Sequence, residues 1–80
     1  MNKVLFSSAS EEWETPNELF MEFNKEFHFT IDVASSEENH KCNRYFTKEQ
    51  DGLRQNWDYE NVWCNPPYGR QITQWFKKLL

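Results

Sequence analysis

The stretch that most constrains this chain is Val62-Trp63-Cys64-Asn65-Pro66-Pro67-Tyr68-Gly69. Val62-Trp63-Cys64 is apolar and suits a short buried strand. The residues after it cannot continue a sheet, because two consecutive prolines remove two backbone donors and fix φ at each position. Pro66 also drives Asn65 into an extended conformation. Asn65 is therefore expected at a strand end with side chain and carbonyl held rigidly, and Tyr68-Gly69 turn the chain away. In an open α/β sheet, ligands bind at that end of the strands.

A primary amide offers one acceptor oxygen and two donor hydrogens, and the Pro66 carbonyl is a second fixed acceptor. Two acceptors aimed at one amino group would hold both of its hydrogens and leave its lone pair free to attack. Tyr68 adds a flat face on which a planar ring can stack. The arrangement suits the exocyclic amino group of a nucleobase acting as nucleophile. The plainer alternative is a Pro-Pro turn whose asparagine serves its own backbone.

Asn65-Pro66-Pro67-Tyr68 matches the Asn/Asp-Pro-Pro-Tyr signature of amino-group methyltransferases. A wider ordered frame accompanies it: Trp13-Glu14-Thr15-Pro16, Leu19-Phe20, Phe29-Thr30-Ile31-Asp32-Val33-Ala34, Lys41-Cys42, Tyr45-Phe46-Thr47, Asp51-Gly52-Leu53 and Trp57. In that order and spacing the chain resembles the phage DNA N-6-adenine-methyltransferase family over about residues 11–80. The resemblance implies a Rossmann-like α/β fold, S-adenosylmethionine as cofactor and double-stranded DNA as partner, with transfer of a methyl group to N6 of a flipped adenine. It implies catalytic roles for Asn65, Pro66, Pro67 and Tyr68. It implies cofactor contacts at Thr15 and Pro16, near the methionine end, and at Asp51, whose carboxylate would accept from the cofactor's adenine amino group. Taken locally, Asp51-Gly52-Leu53 is a surface turn signal. RNA and protein-glutamine methyltransferases share the four-residue signature, so those substrates stand as alternatives, as do a catalytically inactive truncated remnant and a nucleotide- or DNA-binding module without turnover. A restriction-modification setting, with a phage or prophage origin, goes with the family.

An 80-residue chain makes one small domain that buries only about 60% of its unfolded surface. An aromatic content of 18% offsets part of that handicap, since each buried ring removes much area from water. No apolar run approaches the roughly 20 residues of a membrane span, and Met1-Asn2-Lys3-Val4-Leu5-Phe6 is too short for a signal peptide. A soluble, cytoplasmic protein of a bacterial host cell, without membrane contact, is the expectation. Cys42 and Cys64 make no disulfide framework. Together with His28 and His40 they lack zinc-site spacing, and Cys64 reads as a small core residue. The net charge of −4 argues against binding nucleic acid by charge alone. A local basic rim would have to come from Lys41, Arg44, Lys48, Arg54, Arg70, Lys77 and Lys78, each of which alone reads as a solvated charge.

Residues 1–12 show no apolar periodicity and read as a flexible arm; 13–80 read as a partial methyltransferase domain. Thr15-Pro16-Asn17-Glu18 predicts a helix start, with Thr15 as N-cap, Pro16 at the first helical position and Glu18 closing a capping box. Leu19, Phe20, Phe23 and Phe27 then form one apolar face. Phe27 to Ala34 alternates as a strand, placing Asp32 near its end, where the carboxylate would accept from a cofactor ammonium or hold a loop. No Gly-x-Gly loop follows this strand, so the cofactor must be cradled differently. Residues 39–47 read as a short strand or loop, in a crossover compressed relative to the roughly 30 residues of a βαβ unit. Trp57 reads as a packing anchor. Ile72, Trp75, Phe76 and Leu79 predict a closing helix, with Lys77 and Lys78 turned away. Two or three strands with flanking helices amount to a partial, truncated version of the fold, since members of that family are longer. An exposed sheet edge would then invite another chain to complete the sheet.

Overall fold

The computed structural model describes residues 3–5, 15–67, 69 and 71–80. Trp13, Glu14, Tyr68 and Arg70, and all of the expected arm except residues 3–5, lie outside the described residues. Four strands, β1 (Lys3–Leu5), β2 (Ile31–Ser35), β3 (Tyr45–Thr47) and β4 (Val62–Cys64), form one sheet in the order β1-β4-β2-β3. All three pairings are parallel. Two helices, α1 (Asn17–Phe27) and α2 (Ile72–Leu79), and a 3₁₀ turn (Gly52–Arg54) complete the described elements.

The fourth strand corrects the expectation of two or three. It comes from β1, whose Lys3, Val4 and Leu5 pair with Val62, Trp63 and Cys64. The expected flexible arm therefore does not hold at residues 3–5. Pairing with β1 on one side and β2 on the other makes the Asn65-bearing strand internal to the sheet.

Alternation divides the buried residues between the two faces. Trp63 faces α1, meeting Phe20 edge-on at 5.1 Å and Phe29 at 5.3 Å between ring centroids, with Cys42 and Val4 in the same cluster. Ile31, Val33, Val62 and Cys64 face the other way, onto Trp57 and Trp75. Cys64 is a fully buried core residue, as its setting in the sequence suggests.

Three boundaries differ from expectation. Pro16, not Thr15, is the N-cap of α1, at φ −58° and ψ 138°, and among the described residues no side chain caps the helix. The capping box does not form because Pro16 itself is extended, which leaves Thr15 one residue outside capping reach. At the other end α1 runs through Phe27 and closes on His28 in the left-handed region at φ 52°, with His28 N–H donating to the Asn24 carbonyl. The strand therefore starts at Ile31, four residues later than the alternation suggests. On α2, Trp75 is buried and Phe76 is exposed, so the apolar stripe is narrower than its spacing implies. Among the described residues no helix is long and apolar enough to cross a membrane.

Candidate functional site

The strand order sets the location of the site. From β2 the chain goes to β3 on one side, then crosses back to β4 on the other. The direction of winding thus reverses between β2 and β4, and the crevice beyond the carboxyl ends of two such strands is the general ligand position of open parallel sheets. Asn65 follows β4 directly. Asp32 pairs with Trp63, so the strands bearing Asp32 and Asn65 are neighbours.

Asn65 lies two residues beyond Trp63 and thus on the α1 face. Its Nδ2 donates to the Thr15 hydroxyl at 3.2 Å across 50 positions of sequence. Thr15 is buried, at 3% exposure. These two predicted site residues are brought together, with Pro16 exposed beside Thr15 and Pro66 buried beside Asn65. Pro67 is exposed.

Asp32 is buried as well, and its carboxylate holds a loop. Oδ2 accepts from the Lys41 backbone N–H at 2.9 Å and Oδ1 from that of Ala34 at 3.3 Å. Burial pushes its pKa up to about 6, against the lowering effect of those two bonds and of Lys41 and His40 nearby. Lys41 then reaches α1, donating from Nζ to Asn17 Oδ1 at 2.6 Å. Asp32, Lys41, Asn17 and Thr15 thus form a connected run from β2 to the start of α1. Burial, and secondarily the charge of Asp32, push the Cys42 thiol up to about 12 and the Cys64 thiol higher still. Both thiols are therefore protonated at neutral pH and poor nucleophiles.

Asp51 approaches β2 from the α2 face. It adopts φ 57° and caps the 3₁₀ turn, Oδ1 accepting from Leu53 N–H at 3.2 Å. Its side chain is 37% exposed, with Oδ2 3.9 Å from Arg54 Nε. The turn is more than a surface feature, because three contacts fix it. Gly52 lies so close to the Val33 carbonyl that a Cβ there would collide with it. Trp57 Nε1 donates to the Gly52 carbonyl at 2.9 Å. Lys78 Nζ donates to the Leu53 and Gln55 carbonyls at 3.0 and 2.7 Å and sits 4.8 Å from the Trp57 ring centroid. Trp57 is the packing anchor its sequence suggests. Lys78 is no solvated charge, and its role has no local signature, since its partners lie 23 and 25 residues away. Asn17 and Lys41 carry no local signal either.

Three residues of the expected rim, Lys41, Arg44 and Lys78, are engaged within the chain. Arg44 pairs with Glu60 at 2.6 Å, and Glu60 also accepts from Thr30 Oγ1. Among the described residues no group of three or more His, Cys, Asp or Glu side chains is placed to hold a metal ion.

A family model described as DNA N-6-adenine-methyltransferase (Dam) matches residues 3–80. The chain belongs to that family. A DNA N-6-adenine-methyltransferase of Escherichia phage T1 is 35% identical over 60 residues, which cover 72% of this chain and 25% of the phage protein. A putative methyltransferase of Escherichia coli K12, YfdM, is 31% identical over 67 residues, covering 75% of this chain and 74% of YfdM. The Dam-family chain described here thus spans a quarter of the phage relative's length and about three quarters of YfdM's. No solved structure matches it.

Proposed function

We propose that this chain carries the methyl-transfer site of a DNA adenine N6-methyltransferase with S-adenosylmethionine as donor. The observation that carries the reading is the rigid Asn65-Pro66-Pro67 segment at the carboxyl end of β4, beside the reversal point of a parallel sheet. Asn65 Oδ1 and the Pro66 carbonyl would accept the two hydrogens of the adenine amino group, leaving its lone pair to act as nucleophile. Tyr68 would stack on the base. The base would leave the duplex at a cost of a few kcal/mol for unpairing and unstacking. Pro66 and Pro67 fix the backbone that carries both acceptors, so the contribution is positioning and electrostatics.

The chain's donor and acceptor set fits the proposed cofactor. S-adenosylmethionine presents an adenine amino group, ribose hydroxyls and an ammonium, all of which donate, and supplies an electrophilic methyl on sulfur. Asp51 offers a part-exposed carboxylate in a fixed turn. Asp32 is buried and shapes the Lys41 loop rather than offering an open carboxylate. A second reading, cofactor binding without turnover, draws support from the internal commitment of Lys41, Arg44 and Lys78.

The test is transfer of labelled methyl from S-adenosylmethionine to unmethylated DNA, to RNA and to protein, with the product nucleoside identified. N6-methyladenine in DNA, with a rate about 10²–10³ lower in Asn65→Ala, is expected by analogy with losing one oriented hydrogen-bond partner. Label in RNA or glutamine moves the substrate. Calorimetric binding of S-adenosylmethionine with no transfer to any acceptor selects the second reading.

A further inference from the structure

We propose that Thr15 is a positioning residue for the Asn65 amide: its hydroxyl holds that side chain in place at the end of β4. The inference deepens the methyltransferase reading and rests on it for its catalytic meaning, but the lock itself is a property of the folded chain.

An asparagine side chain presents an acceptor on one side and a donor on the other, and half a turn about its terminal torsion exchanges them. A target amino group must meet the acceptor, so free rotation would misplace Asn65 part of the time. The hydrogen bond from Nδ2 to Thr15 Oγ1 at 3.2 Å narrows that freedom to orientations in which the amide meets Thr15. Burial strengthens the selection, since Thr15 is 3% exposed and water competes poorly for its hydroxyl.

Three features of the sequence make that hydroxyl available. Pro16 takes the N-cap position and among the described residues no side chain caps α1, so Thr15 is not engaged in capping. As the residue before a proline, Thr15 is restricted to extended backbone, which fixes the direction of its side chain. Asn17, two residues on, is tied through Lys41 Nζ to the loop that Asp32 holds. The Thr15-Pro16-Asn17 segment is thereby anchored to the loop following β2 while it holds the residue following β4. This assignment differs from a direct contact between Thr15 and the cofactor, and the two make opposite predictions for cofactor affinity.

The test uses the full 80-residue chain as wild type, Thr15→Val and Thr15→Ser. The Asn65 side-chain amide is followed by ¹⁵N–¹H NMR and identified by its loss in Asn65→Asp. In wild type its protons should exchange about tenfold more slowly than those of exposed Asn43, the order expected for one shielded hydrogen bond. In Thr15→Val that protection should vanish, and in Thr15→Ser it should return. Calorimetric affinity for S-adenosylmethionine should stay within about twofold in all three, as for a residue outside the cofactor contacts. In transfer assays Thr15→Val should lower kcat by about tenfold to a hundredfold at unchanged cofactor KM, the range expected for a misplaced reacting group. Equal exchange at Asn65 and Asn43 in wild type overturns the lock even if Thr15→Val does not fold. An unchanged Asn65 amide with markedly weaker cofactor binding in Thr15→Val overturns it in favour of a cofactor contact. A protected amide in a wild-type chain that transfers no methyl group sustains the lock and counts against the activity alone.

Discussion

Replacing Gly52 with alanine is the sharpest perturbation the fold offers. A Cβ at this position would run into the Val33 carbonyl oxygen and lie 3.0 Å from Trp75 Cη2. Real Cβ contacts essentially never fall below 3.0 Å, so backbone must separate from backbone by about 1 Å. Neither neighbour can yield freely. Val33 sits in β2, fully buried between β3 and β4, and Trp75 is stacked on Trp57 with centroids 6.1 Å apart. Overpacking costs about 1–3 kcal/mol. The clash is with backbone, which places Gly52→Ala at the upper end, about 3 kcal/mol. For a domain of this size each kcal/mol shifts Tm by roughly 4–8 °C, giving a loss of roughly 12–24 °C. The shift also displaces the carbonyl that Trp57 Nε1 holds and the turn bearing Asp51. The assay is thermal unfolding by circular dichroism, followed at the indole bands as well as in the far ultraviolet. A Tm within 3 °C of wild type would refute the close packing of the turn on β2. Should Asp51 serve the cofactor as proposed, surviving folded Gly52→Ala would also bind S-adenosylmethionine more weakly.

Two further predictions concern stability. Removing the Lys78 ammonium in Lys78→Met should cost about 1–2 kcal/mol, from two charge-assisted bonds to part-buried carbonyls and a cation–π contact; urea unfolding measures it, and an unchanged midpoint would show that those carbonyls turn to water without loss. Asp32 should make the fold less stable as pH rises. Its folded pKa of about 6 exceeds the unfolded 3.8, so both states are protonated below about 4, the unfolded state ionises first above that, and the full penalty of about 3 kcal/mol is reached above about 7. Thermal melts of wild type and Asp32→Asn from pH 4 to pH 7 should diverge in wild type's disfavour with rising pH, and parallel curves would mean that the carboxylate is not desolvated.

The helices and the central strand were legible because each carries a periodic apolar signal. Phe20 with Phe23, Trp75 with Leu79, and Val62-Trp63-Cys64 all lie where their spacing puts them. β1 was not legible. Lys3-Val4-Leu5 is too short to show alternation, and its strand character comes from a partner 59 positions away. Phe27 to Thr30 misled for a physical reason. Their alternation fits a strand equally well, but Phe27 completes the α1 face and the left-handed His28 closes the helix, a conformation sequence signals only weakly outside glycine and asparagine. At the site, Asn65 and its rigid setting followed from two prolines alone. Its partner did not, because Thr15 carries a capping signature that Pro16 pre-empts.

The absence of a glycine loop after β2 finds its counterpart in the same geometry. In dinucleotide-binding sheets, glycines after the first strand let backbone approach closely at the switch point. Here Ala34, Ser35 and Ser36 follow Val33, and the loop beyond them is drawn down instead by Asp32, through Lys41 and Ala34 N–H groups. The chain has two glycines. Among the described residues a Cβ at Gly69 would meet nothing within 4 Å, whereas Gly52 is pressed against the β2 backbone. Close approach to β2 is thus achieved by a segment that arrives later in the chain and from the opposite face. What it brings is the turn led by Asp51, held at φ 57°. A buried carboxylate on one face and a glycine contact on the other thus fix β2 from both sides without a glycine loop.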